Sequence, residues 1–466
     1  MCEGSSVTTT LVLPEPIDTQ LRNLLALDVE SGAVLLVRTV LTERNDLRLL
    51  ATELVLVPDG AYETRERSEL VVTSDGYVPA LRLAEESEAV AIWLHTHPGA
   101  GASPRPSCKD DRVDEQLADL FRLRTGSEHY GALIIAQDRR QLRFTGYLDS
   151  SDDRIRINRM LSVGPRFALA WNDYEHHERI TALFDRNIRA FGGDVQRVLN
   201  DLKVAIIGCG GTGSSVAEQL IRLGVRDLLL VDPDVMTDSN ITRVYGSTPA
   251  DVGRPKVDVL AEHLRRIAPD SDIHTTKGML TSEPVARAVV GADVVFGCTD
   301  DNAGRLVLSR MATYLLMPVV DCGVLLSSDS EDRLSGIDGR VTLLYPGAGC
   351  LVCRNRIDLD RARTEMLTPE ERNRRVDEGY APALGNSEPA VVAFTTLVAA
   401  TAVSELLERL VGYGPDDVPS EILLRVHDRE VSTNQQAPRE KHYCHPASGK
   451  LGRGITDPFL EQTWAA

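Results

Sequence analysis

The stretch from Leu94 to Asp111, LHTHPGAGASPRPSCKDD, sets two histidines one residue apart, follows them with a Gly/Pro/Ser-rich loop, and closes on Ser107 and a pair of aspartates. On a strand, alternate side chains share a face, so His95 and His97 can reach one metal ion through their imidazoles. A carboxylate from Asp110 would complete three protein ligands and leave a fourth position for water, the open arrangement of a hydrolytic zinc site. Asp111 takes that place if the helix behind it starts one residue later. A second reading stays open on the residues alone. Ser107-x-x-Asp110 before an apolar-periodic segment is also a helix capping box, and two histidines at a strand end can be surface polar residues.

About a hundred residues later comes GCGGTGS, Gly208 to Ser214, between an apolar run and an amphipathic one. Backbone N–H groups of such a loop and the helix N-terminus behind it can meet phosphate, whether of NAD, FAD or ATP. Asp232, ending the next apolar run, would accept hydrogen bonds from ribose hydroxyls in any of them. The residues beyond narrow the choice. DSNITR, GRPK and CTDDNAGR supply cations for phosphates and carboxylates for magnesium, which nucleotidyl transfer needs and hydride transfer does not.

These residues need two frames to hold them. Residues 21–57 alternate apolar runs with polar breaks and read as strands, the first preceded by a short helix; AVAIWLHTH and YGALIIAQ are further strands around the helix DRVDEQLADLFRLRT. From Leu202 the pattern becomes strand, helix, strand, which predicts a parallel, doubly wound, Rossmann-like sheet with its ligands at the strand C-terminal ends. The expected division is a mixed α/β domain over 1–148, a linker with helical content over 149–180, and an α/β adenylation domain over 181–466. Residues 327–339 read as an acidic loop, and 354–388 as an exposed segment before an apolar helix.

The 466 residues are 42% hydrophobic and carry a formal net charge of −18. Length and apolar content allow two or three cored domains. The acidic balance argues against nucleic-acid or anionic-membrane partners, and neither a membrane span nor a signal-peptide pattern is visible, so a cytoplasmic location is expected.

His-x-His-Pro, the Gly-rich loop and Ser-x-x-Asp over residues 20–147 resemble the JAB/MPN (JAMM) metalloproteases, which cleave after the C-terminal glycines of ubiquitin-like proteins. Nine residues separate His97 from Ser107, more than in the usual family pattern, the excess lying in the loop. The resemblance implies zinc on His95, His97 and Asp110, carbonyl polarisation by Ser107, and a general base at Glu30, with Glu53 as the alternative. Residues 181–450 resemble the ThiF/MoeB family, the adenylating core shared with ubiquitin-activating enzymes. This implies Gly208, Gly210, Gly211 and Gly213 at the phosphates and Asp232 on the ribose. It also implies Asn240, Arg243 and Lys256 on the triphosphate, and Asp300 on magnesium with Arg305 in support. FDRNIRAFG matches a segment whose arginine, here Arg186, would reach the ATP of the other subunit in a homodimer.

Cys350-x-x-Cys353 is matched in that family by a second pair, the four thiolates holding structural zinc. Here the second half is KHYCHPAS, so Cys444 with His442, flanked also by His445, gives a Cys₃His set or a degenerate site without metal. Cys209, Cys298 and Cys322 are expected to pack. Segment 354–388, where many relatives carry a thioester-forming cysteine, has none. The combined expectation is ATP- and magnesium-dependent adenylation of a ubiquitin-like or sulfur-carrier protein ending in Gly-Gly, joined to a zinc peptidase acting on such proteins. A conjugating enzyme or a sulfurtransferase would be the next partner. The alternative is a non-catalytic nucleotide-sensing scaffold.

Overall fold

The computed structural model describes residues 8–101, 104–138, 141–150, 153–172, 182–331, 333–367, 370–372, 374 and 390–464, and divides them into two compact units. In the first unit the strands are β1 (Thr9–Pro14), β2 (Gly32–Leu41), β3 (Leu47–Leu56), the small hairpin β4 (Tyr62–Arg65) and β5 (Leu70–Val72), β6 (Val90–Thr96), β7 (Tyr130–Asp138), β8 (Gln141–Asp149), β9 (Arg154–Arg156), β10 (Arg159–Val163) and β11 (Phe167–Trp171). Nine of these form one sheet in the order β11-β10-β1-β3-β2-β6-β7-β8-β9. Helix α1 (Glu15–Leu25) covers one face, and α2 (Val78–Ser87) and α3 (Cys108–Thr125) cover the other.

Period-two alternation decides which residues meet which helix. Leu35 and Val37 of β2 join Ile17, Leu21 and Leu24 of α1. Val34 and Leu36 join Ala80, Leu81, Leu117 and Phe121 of α2 and α3. Because both faces are buried, β2 reads as a continuous apolar run and not as an alternating one.

The expected helical linker over 149–180 is not what the structure shows where it is described. Residues 154–171 are β9, β10 and β11, which extend the first sheet at both edges. Charged DDRIR hides the pattern of the short β9, and β10 finds its partner far back in the chain, with Thr10 opposite Arg159 in a parallel ladder. Residues 173–180 of that segment lie outside the described residues.

The second unit opens with α4 (Asp185–Phe191) and α5 (Gly193–Asp201). It continues through β12 (Lys203–Ile207), α6 (Gly211–Leu223), β13 (Asp227–Val231), α7 (Lys256–Ile267), β14 (Asp272–Thr276), α8 (Glu283–Val289), β15 (Val294–Gly297), α9 (Asn302–Tyr314), β16 (Val319–Ser328) and β17 (Leu334–Leu344). It ends with α10 (Leu359–Glu365), α11 (Val392–Val411), β18 (Glu421–Arg425) and β19 (Glu430–Asn434). Strand order is β14-β13-β12-β15-β16-β17-β18-β19; the first five strands run parallel and the last three pair antiparallel. The expected parallel sheet is present, with an antiparallel half added. The acidic loop expected over 327–339 shrinks to the connection between β16 and β17, because Asp338 and Ile337 are already paired to β16. No helix among the described residues is long and apolar enough to cross a membrane.

Candidate functional site

In the first unit, β6 delivers His95 and His97 to one face of the sheet end, and α3 brings Asp110 to them. The two imidazole Nε2 atoms lie 3.0 Å apart, and each is 3.5 Å from an Asp110 carboxylate oxygen. The capping box and the metal-ligand set coexist. Ser107 Oγ accepts the Lys109 and Asp110 amides at 3.3 and 3.2 Å, while Asp110 Oδ2 accepts the Ser107 amide at 2.6 Å. The helix therefore starts at Cys108, which aims Asp110 at the histidines and leaves Asp111 exposed. Burial would raise the Asp110 carboxyl, but hydrogen bonds from both imidazoles and the Ser107 amide outweigh it and hold it well below the usual carboxylate range.

Glu30 precedes β2 and is buried, its carboxylate 3.9 Å from His97 Nε2. Burial pushes its pKa up, against the pull of His97 and His95. Glu53 is exposed on β3 and does not line this cavity. The cavity holds about 600 Å³ and takes in Glu30, Ser107 and the three candidate ligands, with Trp93, Tyr77 and Leu70 as apolar wall. Asp114, one turn beyond Asp110, also lines it and escaped the sequence reading. Its carboxylate accepts the Tyr130 and Tyr147 hydroxyls at 2.9 and 2.8 Å. Only its i+4 spacing from Asp110 could have signalled it. Two imidazoles and one carboxylate converging at these distances fit a zinc ion by donor chemistry.

In the second unit, the Gly208 loop joins β12 to α6. Gly208 sits at φ +90°, and a Cβ there would press on Cys298 O at 2.7 Å. A Cβ on Gly213 would lie 1.8 Å from Gly208 O, so only glycine lets the helix start this close to the strand. Gly211 abuts Thr395, whereas Gly210, the helix N-cap, faces open space. Asp232 is buried, accepting the Cys209 and Asp234 amides at 2.6 and 2.9 Å; burial raises its pKa against the pull of Lys256. A carboxylate has about four acceptor positions, so two remain for hydroxyls.

Lys256 opens α7 and ion-pairs with Asp234 at 2.7 Å. Asn240 is buried and accepts the Thr237 amide, and Arg243 donates to Ser239 O. Arg305 lies 3.3 Å from Asp321, and no ion pair joins it to Asp300 among the described residues. Asp300 is exposed beyond β15 and makes no hydrogen bond or ion pair among the described residues. Arg186 is exposed on α4.

Cys350, Cys353, His442 and Cys444 come together. His442 Nδ1 lies 3.7, 3.4 and 3.2 Å from the three sulfurs in chain order, and Cys353 and Cys444 sulfurs are 3.6 Å apart. His445 is elsewhere, its Nδ1 accepting the Ala447 amide in a short turn. Four such donors fit tetrahedral zinc. Cys209 and Cys322 are buried and Cys298 half-buried, as packing residues.

Residues 184–444, more than half of the chain, match the ThiF family. The chain belongs to the ThiF family. It is 33% identical over 162 residues to the sulfur carrier protein ThiS adenylyltransferase of Escherichia coli (strain K12), covering 34% of this chain and 61% of that protein. To the molybdopterin-synthase adenylyltransferase of the same organism it is 31% identical over 179 residues, 38% of this chain and 68% of the other. To ubiquitin-like modifier-activating enzyme 5 of Oryza sativa subsp. japonica it is 33% identical over 169 residues, 33% and 38% respectively. This ThiF-family chain thus spans from about two fifths to about two thirds of the length of these relatives.

Proposed function

We propose that the second unit adenylates the C-terminal carboxylate of a ubiquitin-like or sulfur-carrier protein ending in Gly-Gly. What carries this reading is the Gly208 loop against buried Asp232, followed in family order by Asn240, Arg243, Lys256, Asp300 and Arg305. The N-terminus of α6 receives phosphate, and Asp232 receives the ribose hydroxyls. A terminal carboxylate oxygen attacks the α-phosphorus, the α–β anhydride bond breaks, and pyrophosphate leaves as the acyl-adenylate forms. Arg243 and Lys256 offset the charge that develops on the phosphates. Magnesium, for which exposed Asp300 supplies a free carboxylate, would neutralise phosphate charge. A homodimer would bring in Arg186.

The first unit would be a zinc peptidase of the JAB/MPN type acting on the same class of protein, a reading supported by the His95, His97 and Asp110 cluster with Glu30 at its side. Zinc there would activate water and polarise the scissile carbonyl. Glu30 takes the water proton and returns it to the leaving amine, Ser107 stands at the carbonyl, and the cavity wall excludes bulk water. A Cys₃His zinc would tie the 350–353 turn to the 442–444 turn.

A bacterial ubiquitin-like conjugation system, with a conjugating enzyme as acceptor, is the preferred setting; sulfur-carrier activation with a sulfurtransferase is the alternative. The deciding experiment is ATP–pyrophosphate exchange with candidate proteins ending in Gly-Gly. Exchange with none of them, while ATP still binds, would leave the nucleotide-sensing scaffold.

A further inference from the structure

Four arginines gather around two carboxylates on the antiparallel half of the second sheet. Asp321 and Glu421 are both fully buried at 0%. Arg305 Nε lies 3.3 Å from Asp321, and Arg340 lies 4.0 Å from each acid. Arg354 and Arg356 lie 3.8 and 3.4 Å from Glu421. Four guanidiniums against two carboxylates leave two positive charges over.

Part of the hydrogen-bonding capacity of this group is used. Glu421 accepts from Thr342 Oγ1 at 3.1 Å and Asn434 Nδ2 at 2.9 Å. Arg354 donates to Gly349 O and Ser420 Oγ. Each of the four arginines still keeps a buried donor without an acceptor, Nη1 in Arg354, although Arg356 Nη2 donates to Glu421 Oε2 at 3.4 Å. The Nε atoms of Arg305, Arg340 and Arg356 are buried without an acceptor, and neither Asp321 oxygen receives a hydrogen bond among the described residues. Burial lowers the Arg340 pKa, and Arg356 and Arg305 lower it further, against the pull of Asp321 and Glu421. Guanidiniums with buried, unused donor atoms call for an acceptor, and a planar oxyanion fits the guanidinium fork.

Gly323 leaves these guanidinium ends uncovered by any side chain of its own. Gly323 stands directly across the ladder from Arg340, and a Cβ built on it would lie 3.5 Å from Arg340 Nη2 and 3.6 Å from Arg305 Nη2. Two guanidinium ends therefore converge over a residue with no side chain.

The cluster lies beside the nucleotide crevice. Asp321 pairs with Gly297, the last residue of β15, so Gly323 reaches past the C-terminal end of that strand, the edge that also carries the Gly208 loop. Along this edge β16 is two strands from β12 and β17 is three, roughly 10 and 15 Å at about 4.8 Å per strand. That offset suits a group on the second substrate better than a phosphate held at the loop.

We propose that Arg305, Arg340 and Arg356 form a subsite over Gly323 for a carboxylate side chain in the polypeptide tail that the adenylation site accepts; this rests on the adenylation reading above. The tail would be selected for an Asp or Glu shortly before its terminal glycines.

The test uses the full chain and fluorescein-labelled peptides ending in Gly-Gly, each with a single Glu at a different position upstream, and the matching Gln peptides. Anisotropy should show one Glu peptide binding about tenfold more tightly than its Gln counterpart. Arg340→Gln and Arg356→Gln should each abolish that preference without changing binding of the Gln peptide or of ATP. Gly323→Val should abolish it with every arginine retained, and it keeps the measurement decisive if an arginine variant fails to fold. Absence of any Glu preference in the unaltered chain overturns the proposal. So does an Arg340→Gln variant that weakens ATP or pyrophosphate binding and keeps the preference, since phosphate would then be the occupant. If exchange fails with every peptide yet the Glu preference persists and is lost in Arg340→Gln, the adenylation reading falls and the subsite stands.

Discussion

Glu30 and His97 each lie two residues beyond the Gly32–His95 pair of the antiparallel β2–β6 ladder, which sets the Glu30 carboxylate 3.9 Å from His97 Nε2. The base candidate is thus held by sheet register. Ser31 N–H donates to Thr96 Oγ1 at 2.9 Å and Thr96 N–H to Ser31 O at 3.0 Å, so the backbone between the two residues is pinned. Glu30→Gln should abolish peptidase activity on a Gly-Gly fusion substrate and leave zinc content unchanged, because the residue moves a proton and is not among the candidate ligands. Glu53→Gln should stay active. The reverse pattern in a cleavage assay with parallel metal analysis would move the base to β3.

Metal content follows from the two donor sets. Elemental analysis of the full chain should find about two zinc ions. His95→Ala combined with His97→Ala should remove one, and Cys350→Ala combined with Cys353→Ala the other. Full zinc in either double variant would sink that site. Loss of the cysteine-bound ion should also lower the melting temperature, since the turns at 350–353 and 442–444 would lose their shared ligand.

How far the sequence revealed this architecture depends on how local each signal was. His95, His97, Ser107 and Asp110 fall within sixteen residues, and a strand period plus a helix cap were enough to bring them together. Strands β12, β13 and β15 of the second sheet were legible for a similar reason, because each apolar run is followed by its own amphipathic helix. What stayed hidden was non-local. β1 pairs with β10 across most of the first unit, and β14 and β17–β19 are short or carry charges on one face, so no run of residues announces them. The arginine cluster over Gly323 is of the same kind, since its members come from α9, β16, β17 and the turn after Cys353. Cys444 and His442 were legible as ligands, but the choice of His442 over His445 needed the short turn that occupies His445 Nδ1.

Gly213→Ala tests the phosphate loop without touching charge. Its Cβ would meet Gly208 O at 1.8 Å, a backbone atom that cannot rotate away, so the loop must move. ATP binding measured by calorimetry should be lost, while Gly210→Ala, whose Cβ meets no protein atom within 4 Å, should fold normally and lose affinity only through its approach to phosphate. Equal and undiminished affinity in both variants would remove the loop from the nucleotide site.

Asp300→Asn keeps the side-chain shape and removes the charge assigned to magnesium. Exposed and without an ion-pair partner among the described residues, Asp300 has no structural work to lose, so the melting temperature should hold. ATP–pyrophosphate exchange should nevertheless fall at least ~100-fold. Exchange within a few-fold of the unaltered chain would assign the metal elsewhere.

On the proposed reading, the role of Arg186 depends on a second copy of the chain. Arg186 sits exposed on the short helix α4, and the family resemblance assigns it to the ATP of the other subunit. Arg186→Ala and Asp300→Asn should each be inactive alone. Mixed under conditions that allow subunit exchange, they should regain part of the exchange activity, because one site in each heterodimer then receives an intact Arg186 from one chain and an intact Asp300 from the other. A tagged pull-down establishes that mixed dimers have formed. If they form and activity stays absent, Arg186 acts within its own chain or does not touch ATP, and the requirement for a homodimer falls with it.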